Sequence, residues 1–257
     1  MTMSELTRQP LLVFLLSVVL LWISAWLGAS VLRQRRPLVE GAREDYNVIV
    51  GATLTLLGLI IGFSFSMAIS RYDQRKNLEE EEANAIGTEF VRADLLPSAD
   101  AAKVKGLLKE YLELRIAFYT LPFSAPLQKV NERTAHLQNE LWTAVRTPAV
   151  AQQTAVVALA VNGMNDVLNS QGYTQAAWWN RIPVAAWGLM FAIAVCSNLL
   201  VGYGTRNVKA ESPLLVVLPL VFAIAFLLIA DIDSPRGGII RVVPQNLTSL
   251  LDSLHAP

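Results

Sequence analysis

The sequence predicts an all-α integral membrane protein, with four transmembrane helices and an extramembrane helical domain inserted between spans two and three. Three observations carry this. Leu11–Leu32, Val48–Ile69, Ile182–Tyr203 and Leu214–Ala230 are uncharged, apolar runs near the ~20 residues that cross a ~30 Å hydrocarbon core. The long stretch between the second and third runs is charged and repeats its apolar residues at helical spacing. No segment alternates with the period of a strand. Composition agrees: 53% of residues are hydrophobic and 16% charged, against about 25% charged in soluble domains. Residues 1–70 then hold the first two transmembrane helices, 71–180 the extramembrane helical domain, 181–232 the third and fourth spans, and 233–257 a C-terminal amphipathic tail.

The first run is long for a signal peptide and is followed at once by Arg33, Arg35 and Arg36, the pattern of a retained helix. Trp22 and Trp26 share one face of it, which packing explains as well as function does.

The second span opens the stretch around which the chain is organised. No proline interrupts Asn47–Leu96, so one helix of about 70 Å should start in lipid and finish in water. In its apolar half Gly51, Thr55, Gly58, Gly62 and Ser66 follow in steps of three and four and form one stripe. Small residues let another helix approach closely in lipid. The stripe can serve packing within one subunit's bundle, or it can face a pore or a neighbouring subunit. Beyond the span, Arg75 with Glu79 and Lys76 with Glu80 stand at i,i+4, each pair worth a few tenths of a kcal/mol. Glu79–Glu82 cover a whole turn, so at least one carboxylate must face whatever packs there. A solvated face and a cation-attracting vestibule are both compatible with that run.

Pro97 ends the long helix, with Ser98 expected as the next N-cap and Asp100 in the first turn. Val104, Leu107, Leu108, Tyr111, Leu112, Arg115 and Phe118 define the inward face of an amphipathic helix. Pro122 and Pro126 break the chain, and Gln128–Val145 reads as a further helix. Thr147-Pro148 should open another, about Ala149–Asn169, with Thr as cap and Pro at the first position. Gln171-Gly172 should stop it. Trp178 and Trp179 suit an aromatic belt at the start of span three. In the tail, Leu247, Leu250, Leu251 and Leu254 share a face that should lie on the protein or on the membrane surface.

Counting crossings places the end of span two, the start of span three and the end of span four on one side. Arg71, Asp73, Arg75, Arg181, Asp231, Asp233 and Arg236 then share a membrane level as a charged collar. An unpaired carboxylate is costly there, so Asp231 and Asp233 should pair with these arginines. The collar reads as interfacial ion pairing or as the mouth of an ion pathway. The short connections carry Arg33, Arg35, Arg36, Arg43, Arg206 and Lys209, which favours those loops in the cytoplasm and the helical domain outside.

Several functions are disfavoured. A formal net charge of zero gives no basic face for nucleic acid. The lone Cys196 forms no internal disulfide, and His136 and His255 lack the neighbours of a zinc site. No HExxH, phosphate loop or GxSxG appears, so an enzyme is not expected, nor any cofactor.

The run GLIIGFSFSMAISRYDQRKNLEEEEANAIGTEFVRADLLP, with the later IDSPRGGIIRVVPQNL, resembles the bacterial bestrophin-like domain family, a family of unknown function. The likeness covers nearly all of the chain from span two onward and makes the expected fold bestrophin-like. Bestrophins proper are oligomeric anion channels with four membrane helices, a helical cytosolic part and a pore lined by the second membrane helix. By that resemblance the pore-lining candidates are Thr55, Gly58, Gly62, Phe63 and Ser66, near Ser64 and Phe65. It also implies a multi-pass protein of the cell inner membrane with lipids, inorganic ions and copies of itself as partners, and a cytosolic helical domain, against the loop charges. The acidic calcium clasp of the animal channels has no evident counterpart. One reading is therefore a homo-oligomeric ion channel. Phe63 and Phe65 point about 200° apart, so both cannot face one axis equally. The other is a non-conducting scaffold or sensor whose helical domain binds a partner. A motor stator would need a mid-membrane carboxylate, and no span has one.

Overall fold

A computed structural model describes residues 9–35, 38, 40–122, 125–205 and 213–255. Arg36, Arg206 and Lys209, which enter the loop charges above, lie outside them. Among the described residues every regular element is helical, and four helices are long and apolar enough to cross a membrane. The elements are α1 (Pro10–Leu27), α2 (Arg43–Arg92), α3 (Ser98–Thr120), α4 (Ala125–Ala151), α5 (Ala155–Trp179), α6 (Val184–Gly204), α7 (Leu214–Asp233) and α8 (Gln245–His255). A π-helical turn, Gly28–Leu32, extends α1, and a 3₁₀ turn, Ala93–Leu95, ends α2.

Two compact units divide the chain. The first holds residues 1–71 and 181–240, with α1, the N-terminal part of α2, α6 and α7. Two glycines set a close helix contact within it. A Cβ on Gly28 would lie 2.0 Å from the Leu199 carbonyl oxygen, and one on Gly202 would lie 1.9 Å from that of Ala25. Only glycine lets α1 and α6 approach in this way, the small-residue logic of helix packing in lipid. Hydroxyls inside the unit turn back on their own helices: Ser17 donates to the Val13 carbonyl at 2.6 Å and Ser24 to that of Leu20 at 2.8 Å. Trp187, Phe191 and Phe226 fill the space between α6 and α7, with the two Phe rings 4.9 Å apart.

The second unit holds residues 72–180 and 241–257. Its core joins Ile86 of α2, Leu108 and Leu112 of α3, Leu137 and Leu141 of α4 and Met164 of α5, all fully buried. The inward face expected of α3 is the one observed, Arg115 included. The leucine face of α8 lies on this core, with Leu247 buried and Leu250, Leu251 and Leu254 packed beside it.

Local signals misplace several boundaries. Pro97, not Ser98, occupies the N-cap of α3. Thr147-Pro148 opens no helix: α4 runs through Pro148 to Ala151. The Thr147 hydroxyl donates back to the Thr143 carbonyl at 2.9 Å, and Pro148 is buried on the packed side of α4. A proline so near the C-terminus removes one ladder bond, and packing outweighs it. The cap lies seven residues later, where Thr154 accepts from the Val157 amide at 3.2 Å. Gly172 does not stop α5, which continues to Trp179 because Ser170, Thr174 and Ala177 are buried along it. Trp178 is no belt residue either. It packs edge-on against Phe118 at 4.9 Å and Tyr119 at 5.4 Å, while Trp179 stays exposed.

Candidate functional site

α2 is unbroken from Arg43 to Arg92, across the step from apolar to charged sequence at Met67–Lys76. Among the described residues, nothing stands close to the glycines of its small-residue stripe. A Cβ on Gly51, Gly58 or Gly62 would meet no atom within 4 Å. Thr55 and Ser66 are exposed on the same side, and the Thr55 hydroxyl donates to the Gly51 carbonyl at 2.8 Å. Phe63 is 65% exposed and Phe65 36%, whereas Leu57, Ser64 and Ala68 are buried. The uncharged surface that α2 leaves open therefore includes Thr55, Gly58, Gly62, Phe63 and Ser66.

Of the charged collar, Arg71, Arg181, Asp231, Asp233 and Arg236 belong to the first unit and Asp73 and Arg75 to the second. Within the first unit Asp233 is 1% exposed and accepts the Ile182 amide at 3.1 and 3.2 Å. Arg71 Nη1 and Arg181 Nε each reach it at 3.4 Å, and Arg181 also donates to the Asp233 carbonyl. This carboxylate thus fixes the start of α6 through backbone and side chain together. Asp231 instead holds the loop that follows α7, accepting the Ile239 and Ile240 amides at 2.8 Å. Gly238 is required beneath it, since a Cβ would fall 2.4 Å from the Asp231 carbonyl oxygen. Arg236 is half-buried in the same loop. In the second unit Arg75 is buried and donates to the carbonyls of Ala177 and Asn180, both at 3.3 Å, while Asp73 is exposed. Of the seven residues, Arg71, Asp233 and Arg181 form a three-membered cluster within the first unit.

The glutamate run divides by helical phase. Glu80 and Glu81 are exposed, and Glu79 and Glu82 are buried. Glu79 accepts the Asn246 side chain at 2.6 Å and the Leu247 amide at 2.9 Å, capping the start of α8. Glu82 receives Arg115 Nε at 2.5 Å, the Tyr119 hydroxyl at 3.1 Å and the Thr174 hydroxyl at 3.4 Å. Burial acts to lower the Arg115 guanidinium, but Glu82, Tyr111 and Tyr119 together act the other way and the net shift is upward. Burial, and then Glu82, push the Tyr119 phenol up. The sequence signal for this network is Arg115 itself, a cation on the apolar face of α3.

Among the described residues no group of His, Cys, Asp and Glu is placed to hold a metal ion.

The model of the bestrophin-like domain family matches residues 18–247. The chain belongs to the bestrophin-like family. Solved structures agree at the level of the fold. A single-residue variant of a bacterial bestrophin homologue from Klebsiella pneumoniae superposes with a TM-score of 0.67 at 14% identity, covering 94% of this chain and 93% of that one. The same homologue, phased on zinc, gives 0.64 at 16% identity with 95% of each chain covered. No curated protein sequence matches. This bestrophin-like chain therefore shares its fold with relatives from which its sequence has diverged widely.

Proposed function

We propose that the protein is a subunit of a homo-oligomeric ion channel, with anions as the conducted species and the apolar half of α2 lining the pore. The observation that carries this reading is the open face of α2. Its glycines meet no atom of their own chain within 4 Å of a Cβ position, and its exposed polar groups are uncharged hydroxyls. The span also exposes Val48, Ile49, Leu56, Leu59 and Met67, which suit lipid tails, while its stripe of glycine and hydroxyl suits a wetted axis or symmetry mates better. Thr55, Gly58, Gly62 and Ser66 are the proposed lining. Phe63 is proposed as the apolar constriction, being the more exposed of the two phenylalanines.

The remaining assignments follow from the same reading. Residues 71–180 form a helical domain outside the bilayer, inserted between spans two and three of a multi-pass inner-membrane protein. The Arg71–Asp233–Arg181 cluster lies at the end of that pathway. Asp73, Arg75, Asp231 and Arg236 stand near the same membrane level. Bestrophins proper are anion channels, which supports the choice of ion. Purified protein in planar bilayers should give single-channel currents whose reversal potential follows a chloride gradient. Silence across voltages and salts rejects conduction, and a potential following the cation rejects the ion.

A further inference from the structure

A second carboxylate of α2 has a different environment from Glu79 and Glu82. Glu89 is fully buried, and neither of its side-chain oxygens receives a hydrogen bond. It occupies a notch that exists because residue 163 of α5 has no side chain. A Cβ on Gly163 would fall 2.1 Å from Glu89 Oε2, 2.8 Å from Arg92 Nη1 and 3.1 Å from Arg92 Cδ. Two charged groups act on it: Arg92 from its own helix and Asp166 from α5. Those two are engaged with each other, at 3.9 Å and partly in solvent. Lys105 and Lys109 of α3 lie over the neighbouring Phe90 ring, and Lys105 is held by Asp94 at 2.6 Å.

A carboxylate cannot remain ionised in such a place without a partner, because burial in a low dielectric costs far more than the neutral acid does. Glu89 lies twenty residues past the last uncharged position of the apolar run, in the charged part of α2. We propose that Glu89 and the Gly163 notch form a proton-operated latch between α2 and α5, in which the neutral acid seats in the notch and loss of its proton draws Arg92 away from Asp166. Burial pushes the Glu89 carboxyl up to about 8; Arg92 acts to lower it and Asp166 to raise it. The direction of the linkage follows. Between the ordinary carboxylate value and about 8 the folded state holds a proton that the unfolded state has lost. Its stabilising effect is therefore full at low pH, declines as pH rises through that window, and is gone above it.

Difference infrared spectroscopy of the full-length protein in detergent tests the latch, because a protonated carboxylic acid has its own carbonyl band. The expected result is a band present at neutral pH, titrating away near pH 8 and absent from Glu89→Gln. Gly163→Ala fills the notch against a flexible side-chain end, so it should expel the carboxyl and move the midpoint toward the ordinary range while circular dichroism remains helical. Asp166→Asn should also move the midpoint down, since it frees Arg92 for Glu89. A wild type with no such band at neutral pH, or a band retained by Glu89→Gln, overturns the proposal. A midpoint unmoved by Gly163→Ala removes the notch from it, and one unmoved by Asp166→Asn removes the exchange of partners. None of these readings depends on whether the protein conducts.

Discussion

Removing one member of the Glu82–Arg115 pair should damage the helical unit far more than removing both. Each side chain is 0% exposed, and Arg115 Nε meets Glu82 Oε1 at 2.5 Å with Nη2 to Oε2 at 3.4 Å. Arg115→Met leaves Glu82 with only the Tyr119 and Thr174 hydroxyls, and Glu82→Gln leaves Arg115 a buried cation with no anion. Breaking a buried pair from one side costs about 3–5 kcal/mol, because the partner stays desolvated and uncompensated. At ~2–4 °C per kcal/mol for a chain of this size, the apparent Tm should fall by roughly 6–20 °C. The double variant Glu82→Gln/Arg115→Met strands no charge and should recover most of the loss. Thermal challenge in detergent followed by size-exclusion chromatography measures all three against wild type. The double-mutant cycle isolates the coupling because the residues share one network. Additive losses, or single variants within about 1 kcal/mol of wild type, would show that the pair is not compensated as its geometry implies.

Gly202→Val and Gly28→Val should abolish folded protein, because the added atoms fall 1.9 and 2.0 Å from backbone oxygens that have nowhere to move; detergent-soluble yield reads this directly. Gly58→Ala and Gly62→Ala meet open space, so each should stabilise an isolated chain by about 1 kcal/mol through helix propensity. A change in oligomer size or current in those variants then reports on a neighbour outside the chain, and no change would remove the stripe from both roles. Glu79→Ala withdraws the acceptor of the Asn246 side chain and the Leu247 amide, costing about 1–3 kcal/mol locally. Limited proteolysis should then cut within α8 sooner than in wild type, and an unchanged rate would mean that the leucine face alone holds the helix.

Much of this architecture is legible in the sequence because it depends on one residue type recurring at one spacing. Four uncharged runs become four candidate spans, an absence of proline becomes an unbroken α2, and four leucines become the docked face of α8. Each of these depends on local geometry and on the exclusion of water from apolar surface, both of which act along the chain. Partner choice does not. Arg75 and Glu79 stand one helical turn apart and would form a pair worth a few tenths of a kcal/mol in solvent. Each is buried, however, and each is satisfied by a segment remote in sequence: the end of α5 for Arg75, the start of α8 for Glu79. Desolvation sets this outcome, since a buried charge requires several well-placed hydrogen bonds and one turn of helix cannot supply them. Trp178 shows the same effect in an aromatic residue, drawn into the core by Phe118 and Tyr119 although its neighbourhood in sequence suits an interface.

That rule also gives the open face of α2 its meaning. Glu79, Glu82, Arg115 and Asp233 each meet a partner within the chain, as buried charge demands. The stripe from Gly51 to Ser66 carries no charge, so a single chain can leave it uncovered at little electrostatic cost. What it forgoes is close packing, which small residues favour in lipid and which, among the described residues, no helix provides at Gly51, Gly58 or Gly62. A second copy or a water-filled axis satisfies that surface in different ways: the first buries the glycines against backbone, the second leaves them in contact with solvent. Cysteines placed singly at 58 and 62 separate the two, since a hydrophilic thiol reagent labels a wetted position quickly and a packed one slowly. Slow labelling at both positions in protein that still conducts would remove the pore from this face of α2.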